Sequence, residues 1–269
     1  MSKSPISNLQ SPISNLQSRS NRAGFTLIEI SIVLLIIGLV IGGVLVGRDL
    51  IKFAEVKNQI TQLSEFNIAT NLFKDRYGYL PGDLPHAENF NMYDCTSGIT
   101  AGLGNGNGWI NGGNSLQDNT TLYCEPIRFF QQLSQANLLR GYSFMSPGEY
   151  SVDDQFPRVK LGERGGIAAG SNSNLELVWF LGITNTNKTV NYCGTYLTCS
   201  TYKIFTPQEA YSLDKKLDDG KPKTGFITNT TTPAVDDTTA NSCITSVANN
   251  TYNITNTDNL CSLLVKEGK

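Results

Sequence analysis

The sequence has a single histidine, His86, and none of its six cysteines forms a C-x-x-C pair. His86 stands between Pro85 and Ala87 with no serine or cysteine beside it. A histidine-based triad or multi-histidine metal site is therefore poorly supported, and zinc lacks its usual thiolate spacing. Catalysis needs a convergent set of such groups, so the chain reads as a non-enzyme. Cationic residues are also scarce. The net charge is −2, and the first 24 positions hold Lys3, Arg19 and Arg22 with no acid. The remainder of the chain is more acidic than basic, a poor partner for nucleic acid.

What is present begins with one apolar run. Between Phe25 and Gly47 only Glu29 is charged. As a helix rising 1.5 Å per residue, this run spans about 34 Å, enough to cross a hydrocarbon core of about 30 Å. A secretory signal peptide has a shorter apolar region that ends in small residues; here the small residues come first. Arg19 and Arg22 before the run are answered by Arg48 and Lys52 after it, so charge alone leaves the direction open. A carboxylate at bilayer depth costs about 2.5–3.5 kcal/mol, of which the helix dipole returns up to about 1 kcal/mol. Glu29 is thus either solvated at the headgroup level or kept there for a partner. Gly38 and Gly42 are four apart, as are Gly43 and Gly47, a spacing that lets helices approach closely, although glycine is common in spans. Ahead of the run the polar heptad SPISNLQ is written twice, at residues 4–10 and 11–17; it reads as flexible, and two copies cannot build a solenoid.

Gly24-Phe25-Thr26-Leu27-Ile28-Glu29, after a basic polar leader and at the head of a long apolar run, resembles the type IV prepilin signature. That family includes the pilins of type IV pili and the pseudopilins of type II secretion. The resemblance implies that residues 1–24 are a cytoplasmic leader, cut by prepilin peptidase between Gly24 and Phe25, and that Phe25 is then N-methylated. It places residues 25–47 in the bacterial inner membrane as a single pass, with the head in the periplasm and later in a pseudopilus or surface pilus. The implied partners are the peptidase, other pilin or pseudopilin subunits, an inner-membrane assembly platform and the lipid bilayer. Cleavage exposes an ammonium on Phe25, and in a stack of subunits Glu29 meets the amine of a neighbour. Removing one member of a buried ion pair costs roughly 3–5 kcal/mol, so the two charges are tolerable only together. A head-to-tail contact that does not close makes a filament. Major pilins often carry a proline within this run; Val46 occupies that place here.

Beyond the span, Phe53, Val56, Ile60, Leu63, Phe66, Ala69, Phe73 and Tyr77 recur at three or four residues and predict an amphipathic continuation over 48–78. Gly78 stops it and Pro81-Gly82 turns the chain. The family resemblance implies one long helix carrying a globular head over 79–269. Within it, "LELVWFLGI" (175–183) and "TYKIFT" (201–206) read as strands, and the segment after Cys124 as a helix with Pro126 near its start and Gly141 past its end. "TPQEAYSLDKKLDDGK" reads as a short helix running into a turn, and "FIT" with the Thr/Asn-rich tail as edge strands or loops. The fold class is α+β: a long N-terminal helix packed against a head with an antiparallel sheet, pilin-like in outline.

The Gly/Asn-rich stretch 96–122 lacks the Gly-Lys-Ser/Thr of a phosphate loop and the acids of a calcium loop, which leaves an irregular surface loop. Cys95, Cys124, Cys193, Cys199, Cys243 and Cys261 all come after the apolar run, which fits an oxidising compartment and up to three disulfides. The pairing stays open; short-range closure favours Cys193–Cys199, with Cys95–Cys124 and Cys243–Cys261 remaining. No cofactor is expected except, at most, calcium. Some major pseudopilins bind it in a C-terminal loop, for which Asp214, Asp218 and Asp219 are the acids here. Their spacing misses the EF-hand pattern, and a solvated helix end with a D-G turn is the simpler reading. "LPGD" and "DKKLDDG" also resemble pseudopilin-like segments. The rival to a filament subunit is a membrane-anchored extracytoplasmic binding module or adhesin that never polymerises.

Overall fold

The computed structural model describes residues 24–93, 104–110, 124–142, 152–153, 156–162, 164–172, 174, 176–183, 185–186, 189–190, 203–229, 242–246 and 250–268. The chain divides into two compact units, one ending at Asp49 and the other running from Leu50 to Lys269. Helix α1, Leu27–Tyr77, begins in the first and ends in the second. In the first unit every described side chain from Gly24 to Val46 is exposed. Among the described residues, none buries this apolar surface.

In the second unit α1 turns one face inward, burying Val56, Gln59, Gln62, Leu63, Phe66, Ala69, Thr70 and Phe73. The expected face needs two corrections. Phe53 is 52% exposed, and two glutamines join the interior. The Oε1 of Gln59 accepts bonds from the backbone N–H of Lys160 (2.7 Å) and Leu161 (3.2 Å), and its amide donates to Gln62. Gln62 donates to the Tyr142 hydroxyl and the Arg158 carbonyl. These buried amides are kept because they satisfy backbone groups of an irregular segment that would otherwise go unpaired. Gly78 ends the helix in the left-handed conformation (φ 79°), its N–H bonded to the Lys74 carbonyl.

Helix α2, Cys124–Gln135, buries Phe129, Phe130 and Leu133. It stops at Gln135 rather than near Gly141, because Asn137 already adopts φ 59° and bonds the Ser134 carbonyl. Strand β1 (Gly166–Ser171) pairs with β2 (Leu177–Ile183). Two further elements are two-residue strands, β3 (Asn185–Thr186) and β4 (Thr189–Val190), paired with each other. Helix α3 is Pro207–Leu217, and β5 is Ile227–Asn229. Strands β6 (Ile244–Ser246) and β7 (Thr251–Tyr252) form a separate pair, and β8 is Leu263–Lys266. The main sheet is antiparallel in the order β1-β2-β8-β5. Trp179 of β2 is fully buried against Phe66 and Phe129, with ring centroids 5.6 Å away in each case, and its indole N–H donates to Asn67 of α1 at 2.7 Å.

"TYKIFT" is not a strand among its described residues. Phe205 makes one bridge to Cys261, and Thr206 caps α3 through a reciprocal pair with Glu209, with Pro207 as the first helical residue. Backbone donors on both margins of the sheet are engaged. The outward N–H groups of β5 go to the Asp218 carboxylate (from Ile227, 3.0 Å) and the Pro222 carbonyl (from Asn229, 2.7 Å). On β1, Ile167 donates to Pro157 and Ser171 to Ile110.

Of the Gly/Asn-rich stretch, residues 104–110 are described, and they serve a buried acid. Asp83 has no exposure, and its carboxylate accepts from the backbone of Gly106 (2.8 Å), Asn107 (3.3 Å) and Gly108 (2.8 Å). Burial raises its pKa against the pull of those donors. Gly82, at φ 85°, lies so close to α2 that a Cβ there would meet the Glu125 carbonyl oxygen at 2.2 Å. The LPGD turn is therefore a packing device.

Candidate assembly site at the start of the long helix

Gly24 and Phe25 lie before α1, and Phe25 is 82% exposed. Thr26 is the cap. Its backbone N–H donates to Glu29 Oε2 at 2.9 Å and its hydroxyl to the same oxygen at 2.7 Å, while the Glu29 N–H donates to Thr26 Oγ1 at 3.3 Å. This is a reciprocal capping box, which satisfies two of the backbone donors that a helix start leaves unpaired. The T-x-x-E pattern was present in the sequence, but reading Glu29 only as a charge in lipid passes over it. Oε1 of Glu29 has no partner among the described residues, so the carboxylate keeps capacity for a cation while Oε2 holds the helix end.

Gly38, Gly42, Gly43 and Gly47 lie further along the same helix, and a Cβ at any of them would meet nothing within 4 Å. Among the described residues nothing requires these positions to be glycine. Glycine inside a helix costs about 1 kcal/mol relative to alanine, so four of them weaken α1 without an internal return. By length and composition α1 is able to cross a membrane.

Residues 19–45 match the family model described as the prokaryotic N-terminal methylation motif. The chain carries a type IV prepilin-like signature. The signature takes in Gly24, Phe25, Glu29, Gly38, Gly42 and Gly43 and stops short of Gly47. With the apolar helix it supports a pilin or pseudopilin, and it implies processing by a peptidase and assembly with other pilin subunits. No curated protein and no solved structure matches the chain.

The remaining sequence candidates lie in the head. Cys243 and Cys261 form a disulfide with Cα atoms 5.1 Å apart. Cys95, Cys193 and Cys199 lie outside the described residues, as does the side chain of Cys124, which opens α2. Asp214, Asp218 and Asp219 bring one carboxylate oxygen each within 4.8 Å of one another. The solvated helix end expected there is corrected by Asp214, which is fully buried. It accepts bonds from the Tyr252 hydroxyl (2.7 Å) and the Gly220 N–H (3.0 Å), and burial pushes its pKa up to about 6, with Asp218 and Asp219 adding to the rise. Asp218 accepts from the N–H groups of Phe226 and Ile227, and Asp219 from the Thr224 hydroxyl and the Lys221 N–H. The Thr224 bond holds the Asp219 pKa below its usual range. The chain's own donors tie this knot.

Proposed function

We propose that the chain is a non-catalytic structural subunit of a type II secretion pseudopilus or a type IV pilus. The carrying observation is Glu29: a lone acid at the head of an apolar helix whose first half is exposed, with Oε2 engaged by Thr26 and Oε1 without a partner among the described residues. In this reading the subunit waits in the inner membrane with residues 25–47 in lipid and the head in the periplasm. Prepilin peptidase cuts after Gly24, Phe25 is N-methylated, and Glu29 of one subunit takes the terminal amine of its neighbour. The pair fixes the axial register, and the exposed glycines let adjacent helices close up. The resemblance of LPGD and DKKLDDG to pseudopilin-like segments tilts the choice toward secretion.

Replacing Glu29 with alanine or valine tests this. Membrane insertion is expected to persist, while incorporation into sheared or crosslinked filaments is lost. Mass spectrometry of the mature wild-type chain is expected to show an N-terminal methyl-phenylalanine. Unchanged incorporation of both variants would overturn the proposal in favour of an anchored binding module.

A further inference from the structure

The apolar exposure of α1 does not end with the span. Leu50, Ile51 and Phe53 are 67%, 60% and 52% exposed, and all three lie within the second unit. The helix rises about 9 Å from Gly47 to Phe53. The headgroup layer adds roughly 5–7 Å to each face of the hydrocarbon core, so Leu50 and Ile51 fall inside it and Phe53 about 2 Å beyond it, with its side chain tilted back toward the helix N-terminus.

Beside Phe53 lies the last turn of α3. The Lys216 ammonium sits 4.9 Å from the centre of the Phe53 ring, and the neighbouring Lys215 ammonium 5.3 Å from that of Tyr211. Both lysines are exposed and neither is in an ion pair among the described residues. Each ammonium lies over an aromatic ring, a contact that leaves its N–H groups able to meet an anion. The acids of the same segment behave differently. Asp214 is buried, Asp218 is spent on the β5 edge, and the exposed Asp219 is bonded to Thr224 and the Lys221 N–H. The adjoining part of α1 carries Arg48, Lys52 and Lys57 against Asp49 and Glu55, a local excess of one cation.

We propose that Leu50, Ile51, Lys52, Phe53, Lys215 and Lys216 form a collar that docks on anionic phospholipid headgroups while the subunit waits in the membrane. It rests on the membrane-spanning reading of residues 25–47. The apolar side chains enter the interfacial layer and the ammonium groups meet lipid phosphates, an attraction that salt weakens. Release from the membrane then requires breaking these contacts as well as withdrawing the helix.

The full-length chain reconstituted in vesicles tests the collar by lysine acylation with an N-hydroxysuccinimide ester, read by mass spectrometry. Vesicles of phosphatidylcholine are compared with vesicles containing phosphatidylglycerol. Acylation of Lys52, Lys215 and Lys216 is expected to fall several-fold in the anionic vesicles and to recover at high salt, with Lys160 unchanged. Flotation is measured on the same samples. A chain that does not float overturns the span and the collar with it. A floating chain whose acylation ignores lipid charge overturns the collar alone. Protection that tracks protein density instead of lipid charge assigns the patch to a second copy and also overturns the proposal.

Discussion

The Tyr252 hydroxyl donates a 2.7 Å hydrogen bond to Asp214, a carboxylate with no exposure to solvent. This bond joins the end of α3 to β7, and the ionised form of Asp214 is held there at a cost, since burial outweighs the two donors it receives. Burial and the Asp214 charge also raise the Tyr252 pKa, so its proton stays in place to make the bond.

Asp214 gives the fold a pH dependence. Its folded pKa of about 6 lies above the ordinary 3.8, so the fold favours the neutral form. The stabilisation it contributes is complete below 3.8 and is lost as pH rises through about 6. Asp214→Asn fixes a neutral side chain of the same shape. Melting curves of parent and variant are expected to converge near pH 4, with the variant gaining on the parent up to pH 7.5. A melting difference that stays constant across this range would count against the account.

Gly82→Ala forces a side chain into a left-handed backbone and onto the Glu125 carbonyl. A destabilisation of at least about 1–3 kcal/mol is expected from the backbone strain alone. Gly78→Ala shares the backbone conformation but meets open space, so it is expected to cost less. Equal urea midpoints for the two variants would remove the close approach as a cause.

Thr26→Ala removes one half of the capping box and is expected to cost about 1 kcal/mol of helix stability, roughly a fivefold change in local opening. Hydrogen exchange of the amides just after Thr26, measured in detergent micelles, is expected to speed up accordingly. Thr26→Ser keeps the hydroxyl and is expected to match the parent.

Cys243 and Cys261 close a loop with a sequence separation of 18. By loop-closure entropy the crosslink contributes about 3 kcal/mol. The double variant Cys243→Ala, Cys261→Ala is expected to unfold at lower urea by that amount.

The parts legible in the sequence are those set by local pattern. The apolar run, the stop at Gly78, the strand around Trp179 and the start of α3 at Thr206-Pro207 all arise from periodicity or from residues that fix backbone angles. Strand β8 did not show, since four residues near the end of a chain carry little period; its place comes from pairing with β2, where Val265 faces Trp179. Strand β1, "GIAAGS", has too little side chain to read as apolar. Gln59, Gln62, Asp83 and Asp214 were invisible as interior residues because their partners lie far along the chain or on backbone, and polarity alone argues for the surface. At the candidate site, Glu29 was legible as an exception to its surroundings, whereas its bond to Thr26 required the helix start to be seen.

The covered margins of the four-stranded sheet restrict how copies of this chain can join. With the outward donors of β5 held by Asp218 and Pro222, and those of Ile167 and Ser171 on β1 already bonded, these positions offer no free rung for a foreign strand. Donor-strand exchange and amyloid-like stacking are both blocked there. A polymer that keeps this sheet as it stands therefore grows through contacts other than strand addition at these four positions.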